Sequence, residues 1–218
     1  MLFFIDIIVS HQERKIYMKK ITCLIGLLLC MPAFAADNQY DTYAGFRIHK
    51  NENLAFSHDI KGDSDINIRK DNFGIGAVIG NRLSDNVKIE FESSYTGIQQ
   101  SKYNTDFDFD IWSNMFNMYV FQEFSGAIAP YAGLGVGFAG IWSDIDAPIY
   151  HISDSCFDLS YQIMFGVNFA LNNRIDFNLG IKYQYYGDIE HELHGNEFAT
   201  TDASGTEVYF GAVYKFGI

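Results

Sequence analysis

Cysteine, proline and positive charge are all scarce in this sequence. Its 218 residues include 3 cysteines and 3 prolines. Three cysteines cannot build the multi-bridge framework of a small secreted domain. Basic residues number 15 against 27 acidic ones, a net charge of −12. A surface short of Lys and Arg cannot neutralise a phosphate backbone, so nucleic acid is excluded as a partner. No apolar run reaches the ~20 residues of a membrane-crossing helix, and no sustained 3.6-residue periodicity is present. If the chain enters a membrane, it must do so as a closed barrel, because lipid leaves no other way to satisfy the backbone. What is abundant is aromatic: 20 Phe and 14 Tyr in a chain with only 19% charged residues. That mixture favours extensive β-structure.

The first 35 residues are set apart from the rest. From Met18 the chain reads MKKITCLIGLLLCMPAFA. Lys19 and Lys20 form a basic start, an apolar stretch follows from Ile21 to Met31, and Ala33-Phe34-Ala35 supplies the small residues a signal peptidase requires. The pattern predicts a secretory signal peptide within 1–35, cleaved after Ala35, and a mature domain over 36–218. An uncleaved anchor is the alternative, disfavoured by the short apolar run. Met1 and Met18 both remain as start sites. Leu29 before Cys30 is too large for a lipidated cysteine. Cleavage would leave Cys156 alone, so no internal disulfide is expected.

Over the mature chain, apolar and polar residues alternate in eight segments. Strands are predicted near Tyr40–Ile48, Phe73–Leu83, Val87–Tyr95, Asp110–Glu123, Pro130–Trp142, Asp158–Leu171, Arg174–Tyr186 and Thr206–Phe216. They run about 9–14 residues, closer to tilted membrane strands than to ordinary soluble ones. Short connections (Ser84–Asn86, Phe124–Ala129, Asn172–Asn173) alternate with long ones (His49–Asn72, Thr96–Phe109, Ser143–Phe157, Gly187–Gly205). This is the loop asymmetry of an outer-membrane barrel, and an even strand number puts both termini on the short-turn side.

Phasing the strands separates two faces. Val87, Ile89, Phe91 and Tyr95 oppose Lys88, Glu90 and Glu92; Ile175, Phe177, Leu179 and Ile181 oppose Asp176, Lys182 and Gln184. In the fifth strand Ala132, Leu134, Val136 and Phe138 oppose three glycines, which suit the inside of a narrow barrel. Tyr95, Trp112, Trp142, Tyr161 and Tyr185 fall at the loop ends on the apolar face, as an aromatic girdle would. A soluble calyx with inverted phases has the same alternation; the girdle and loop asymmetry weigh against it. The expected fold is all-β: an eight-stranded antiparallel up-and-down transmembrane β-barrel.

The terminal strand, Phe210-Gly211-Ala212-Val213-Tyr214-Lys215-Phe216, resembles the aromatic sorting signal of bacterial outer-membrane barrels. Asn117-Met118-Tyr119, the Ala129–Gly137 run, Tyr161-Gln162 with Gly166-Val167, and Asp176 to Tyr185 resemble the eight-stranded opacity-protein/OmpA-like surface antigens. The resemblance covers 36–218. It implies the outer membrane of a Gram-negative bacterium and insertion by the barrel-assembly machinery. It also implies contact with outer-membrane lipids and lipopolysaccharide, a monomeric state, and a structural or adhesive role. A host or cell-surface ligand would be met by the loops.

Candidate chemistry is thin. His151-Ile152-Ser153 repeats the His-x-Ser pair of lipid A deacylases, which needs both side chains on one face beside an acid; a loop polar pair is the plainer reading. His191 and His194 with Glu190, Glu192 and Glu197 have metal-binding side chains but no helical spacing. Asp106, Asp108 and Asp110 share a face without the glycine and glutamate of a calcium loop. No catalytic residue, metal ligand or cofactor is assigned. The inward-facing charges form the one constellation: Arg47, Arg82, Lys88, Lys182 and Lys215 against Glu90, Glu92, Glu123, Asp176 and Glu207. In a lumen just wide enough for side chains they are expected to pair and fill it. A lipid A-modifying enzyme and a small pore are the alternatives.

Overall fold

The computed structural model describes residues 42–60, 66–102, 105–124, 127–147, 150–193 and 196–216. Eight antiparallel strands close a barrel in sequence order: β1 (Thr42–Ile60), β2 (Ile66–Arg82), β3 (Val87–Lys102), β4 (Thr105–Phe121), β5 (Ile128–Ala147), β6 (Tyr150–Ala170), β7 (Ile175–Leu193) and β8 (Asn196–Phe216). Residues 1–35, with the expected signal peptide, lie outside the described residues.

One end of the barrel is built from tight turns. Leu83 N and Ser84 N both donate to Val87 O, at 2.9 and 3.2 Å. Between β6 and β7 the Asn172 side chain accepts from the amides of Arg174 and Ile175, at 2.8 and 2.9 Å. An Asn that bonds its own downstream backbone closes a turn without help from the ladder.

The other end corrects the expected strand limits. Every described residue of the four stretches expected as long loops is in a strand. β1 and β2 pair out to His58↔Ile66, β3 and β4 to Lys102↔Thr105, β5 and β6 to Ala147↔Tyr150, and β7 and β8 to Leu193↔Asn196. Two ladders stop short, however. Among the described residues, β2–β3 pairing ends at Gly74↔Thr96 and β6–β7 pairing at Tyr161↔Tyr185. The seams lie on opposite sides of the barrel, so its upper part continues as two four-stranded sheets, β3-β4-β5-β6 and β7-β8-β1-β2. Gly187 marks one seam. Its φ is +115°, and a Cβ there would meet the Asp158 Cβ at 2.5 Å. Only glycine fits this bulge, which lies in the β7–β8 ladder two residues past the last β6–β7 pair.

The outward face over the barrel's lower part is apolar and bare: Phe46, Phe73, Phe116, Leu134 and Phe157 are all more than 60% exposed. In water this would be an aggregating surface; against acyl chains it is the expected one. Tyr95, Trp112, Trp142, Tyr161 and Tyr185 all lie on this outer face at its upper limit. Trp112 Nε1 donates to Ser93 Oγ at 2.8 Å, Tyr95 OH donates to Asp110 Oδ1 at 2.5 Å, and Tyr161 stacks on Tyr185 at 4.8 Å.

At and above that girdle the pattern inverts. Asp108 and Ser155 face outward and are exposed. Phe109, Ile111, Ala139, Ile141, Tyr186 and Ala203 face inward and form a buried apolar cluster, with Cys156 against it. Part of this apolar inner layer, Phe109, Cys156 and Ala203, lies in stretches expected as loops, where no lumen was predicted. Above the lipid, water replaces acyl chains outside, so polar residues belong outside and the apolar ones pack within.

Candidate functional site

The lumen is assembled from residues on alternate positions of all the strands. Small inner residues make the space. Gly80, Gly133, Gly166 and Gly180 lie beneath the rings of Tyr43, Tyr119, Tyr131 and Tyr209, and a Cβ at any of them would collide with a ring. Glycine on one strand is thus what lets a tyrosine on another cross the lumen.

Arg47 on β1 is the hub, 2% exposed. Its Nη1 lies 2.6 Å from Glu90 Oε1 and 2.5 Å from Glu92 Oε2, both on β3. Its Nη2 donates to Glu90 Oε2 at 3.0 Å, its Nε to Asn178 Oδ1 on β7 at 3.3 Å, and its plane lies 5.1 Å from the Tyr209 ring on β8. A forked, planar cation is suited to bridging several acceptors at once. Glu92 and Glu207 are shared further. Lys182 Nζ stands 3.5 Å from Glu92 and 3.1 Å from Glu207. The His49 ring sits between the same two carboxylates, with Nε2 3.3 Å from Glu92 and Nδ1 3.2 Å from Glu207. Neither nitrogen is aligned for a directed hydrogen bond, so His49 contributes here by position. Tyr186 OH donates to Glu207.

Beneath this layer the tyrosines interlock. Tyr43 and Tyr119 donate to the two oxygens of Glu90, at 3.1 and 2.9 Å, and the hydroxyls of Tyr131 and Tyr209 meet at 2.6 Å. Above it come amides: Gln162 Nε2 donates to Asn117 Oδ1 at 2.7 Å, and Gln184 Nε2 to Ser160 Oγ at 3.1 Å.

The ten expected lumen charges therefore fall into separate groups. Arg47, Glu90, Glu92, Lys182 and Glu207 meet in the centre. Arg82 pairs with Glu123 at 2.9 Å, and Lys215 with Asp176 at 3.0 Å, both at the short-turn mouth. Lys88 differs from the expectation of complete pairing. Its ammonium packs over the rings of Tyr43, Tyr119 and Tyr131, at 5.6, 4.7 and 5.2 Å. Among the described residues it has no ion pair. His49 and the tyrosine layer escaped sequence reasoning. Their inward phase on β1, β4, β5 and β8 was readable, but which strands they face across the lumen was not.

The other candidates are placed as follows. The backbone of His151 and Ser153 is in β6, opposite Asp146 and Asp144, not in a loop; their side chains lie outside the described residues. His191 pairs with Ala199 in the β7–β8 ladder, while His194 and the side chains of Glu190, Glu192 and Glu197 lie outside the described residues. Asp108 and Asp110 are on the outer face of β4. Among the described residues no group of three or more His, Cys, Asp or Glu gathers as a metal site.

A closed eight-stranded barrel with a lipid-compatible wall and a polar interior defines a class of membrane protein. The chain belongs to the outer membrane protein beta-barrel domain family, whose model matches residues 21–216. Among solved structures it is similar to Neisserial surface protein A, at 15% identity over 80% of this chain and 97% of that one, with a TM-score of 0.54. It is also similar to the outer membrane protein AlkL determined in DMPC bilayers, at 18% identity over 84% and 93%, with a TM-score of 0.50. At these identities the likeness is one of fold. No curated protein matches the sequence.

Proposed function

We propose that this chain is a surface protein of the Gram-negative outer membrane. Its lumen is closed by side chains, and its projecting sheets make its contacts. The observation that carries this reading is Arg47. One fully buried guanidinium joins β1 to groups on β3, β4, β7 and β8 across the middle of the barrel. The tyrosine layer lies on one side of it and amides on the other. The lumen of an eight-stranded barrel is just wide enough for its own side chains. The wall is then committed to outer-membrane lipids and the interior to itself. This leaves the strand extensions beyond the girdle to meet lipopolysaccharide, a host surface or a neighbouring cell. Their outward Asp108 and Ser155 suit polar or cation-bridged contacts rather than apolar ones. The protein acts as a monomer, inserted by the barrel-assembly machinery.

Cell fractionation should place the protein in the outer membrane, with heat-modifiable mobility on a gel. Planar-bilayer recordings of the refolded protein should show no stable openings. Sustained large-conductance openings would overturn the closed-lumen reading; absence from the outer membrane would overturn the location.

A further inference from the structure

At the short-turn mouth the lumen opens into a cavity of about 130 Å³. Its charged lining is Arg82, Lys88, Lys215, Glu123 and Asp176. Two of the cations are spoken for. Arg82 holds Glu123 and also donates to the carbonyls of Ser84 and Asp85, at 3.0 and 2.9 Å. Lys215 holds Asp176. Lys88 is left over: partly buried, without an ion pair among the described residues, and lining the cavity.

The aromatic cage explains why a lone lysine is tolerated there. Ring faces attract a cation electrostatically. Tyr43 and Tyr119 also donate to Glu90, the next inward residue on β3, so the rings that cage Lys88 engage that carboxylate through their hydroxyls. The cage therefore holds Lys88 by ring faces, with no ion pair among the described residues. The cavity carries three cations against two carboxylates, so one monoanion balances it. Its remaining walls include Phe121, Ile128 and Val213, which are apolar. Asn168 adds an amide to the lining, and the apolar walls would cover a short aliphatic stem.

We infer that this cavity is a binding site for a carboxylate on a short apolar stem, held by Lys88. Two sources share that chemistry: a free small organic acid, and the C-terminal carboxylate of a peptide. The site does not depend on which compartment the mouth faces.

The test is calorimetric titration of the refolded full chain with butyrate, with acetyl-Ala-Ala as its free acid, and with inorganic phosphate. Saturable one-site carboxylate binding is expected, with a Kd on the order of 1–10 mM. Lys88→Met should weaken it about tenfold or more. Lys88→Arg should largely keep it, and Arg174→Gln, outside the cavity, should leave it unchanged. Binding of butyrate alone identifies the free acid as the source; binding of the acetylated dipeptide alone identifies the terminus. Heat-modifiable mobility checks that each variant has folded. If Lys88→Met does not fold, the unsubstituted protein still decides the matter. After reductive ¹³C-methylation, the lysine signal displaced by the three rings must move on butyrate addition. Absence of saturable binding, undiminished binding in folded Lys88→Met, a caged lysine signal that does not respond, or tighter binding of phosphate than of either carboxylate would overturn the assignment.

Discussion

Replacing Arg47 with methionine is expected to cost the barrel about 3–5 kcal/mol of unfolding free energy. The methionine fills much of the apolar stem's volume but leaves Glu90 and Glu92 facing each other in a lumen where neither is more than 3% exposed. It also removes the donors to Asn178 and Tyr119 and the contact with Tyr209. Urea titration in lipid vesicles, followed by the fluorescence of Trp112 and Trp142, measures the change. Glu123→Gln is the control. Its partner Arg82 sits at the rim and the pair is half solvated, so a loss of about 0–1 kcal/mol is expected. Adding Glu90→Gln and Glu92→Gln to Arg47→Met should return part of the loss, because the cost lies in the uncompensated charges. If Arg47→Met falls within the range of Glu123→Gln, the central carboxylates are hydrated and the lumen is not closed by this cluster.

What the sequence displays and what it hides follow from the same geometry. Strand number, order and inward phase were legible because lipid and lumen impose opposite polarity on alternate residues; Val87 to Glu92 and Ile175 to Lys182 display this within a few positions. The upper strand ends were not legible. Beyond Tyr95 and Trp112 the outer solvent changes from acyl chain to water, and a run such as Asp106-Phe107-Asp108-Phe109-Asp110 keeps its period while losing its membrane polarity. It therefore looked like a polar loop, although Phe109 packs inside with Ile141. The inward charges were also legible, but not their grouping. Arg47 and Glu92 sit on strands two apart in the barrel, and their meeting depends on register and tilt. Lys88 is the clearest case. Its cage comes from β1, β4 and β5, and composition predicts a salt bridge where the lumen supplies rings.

The inversion at the girdle leads to the last expected result, a series of three substitutions with different costs. Leu134 faces outward near the middle of β5 and is 62% exposed. Leu134→Arg puts a charge among acyl chains near the bilayer midplane, where it should cost about 2–4 kcal/mol. Asp108 faces outward on β4 beyond Trp112 and is exposed. There no acyl chain meets the side chain, so Asp108→Arg should cost only a surface contact, about 0–1 kcal/mol. Ile141, on the inner face and 2% exposed, packs with Phe109, Ile111 and Ala139. Ile141→Ala should cost about 2–5 kcal/mol through lost burial and the cavity left behind. Urea midpoints in vesicles, with Leu134→Arg also scored for insertion yield, give all three. A uniformly lipid-facing outer wall would make Asp108→Arg as costly as Leu134→Arg. A polar lumen throughout would make Ile141→Ala nearly silent. A soluble calyx would make Leu134→Arg harmless, because its outer wall would already be in water. Only a barrel that leaves the lipid at the girdle and continues as two water-facing sheets over an apolar interior yields a high cost, then a small one, then a high cost again.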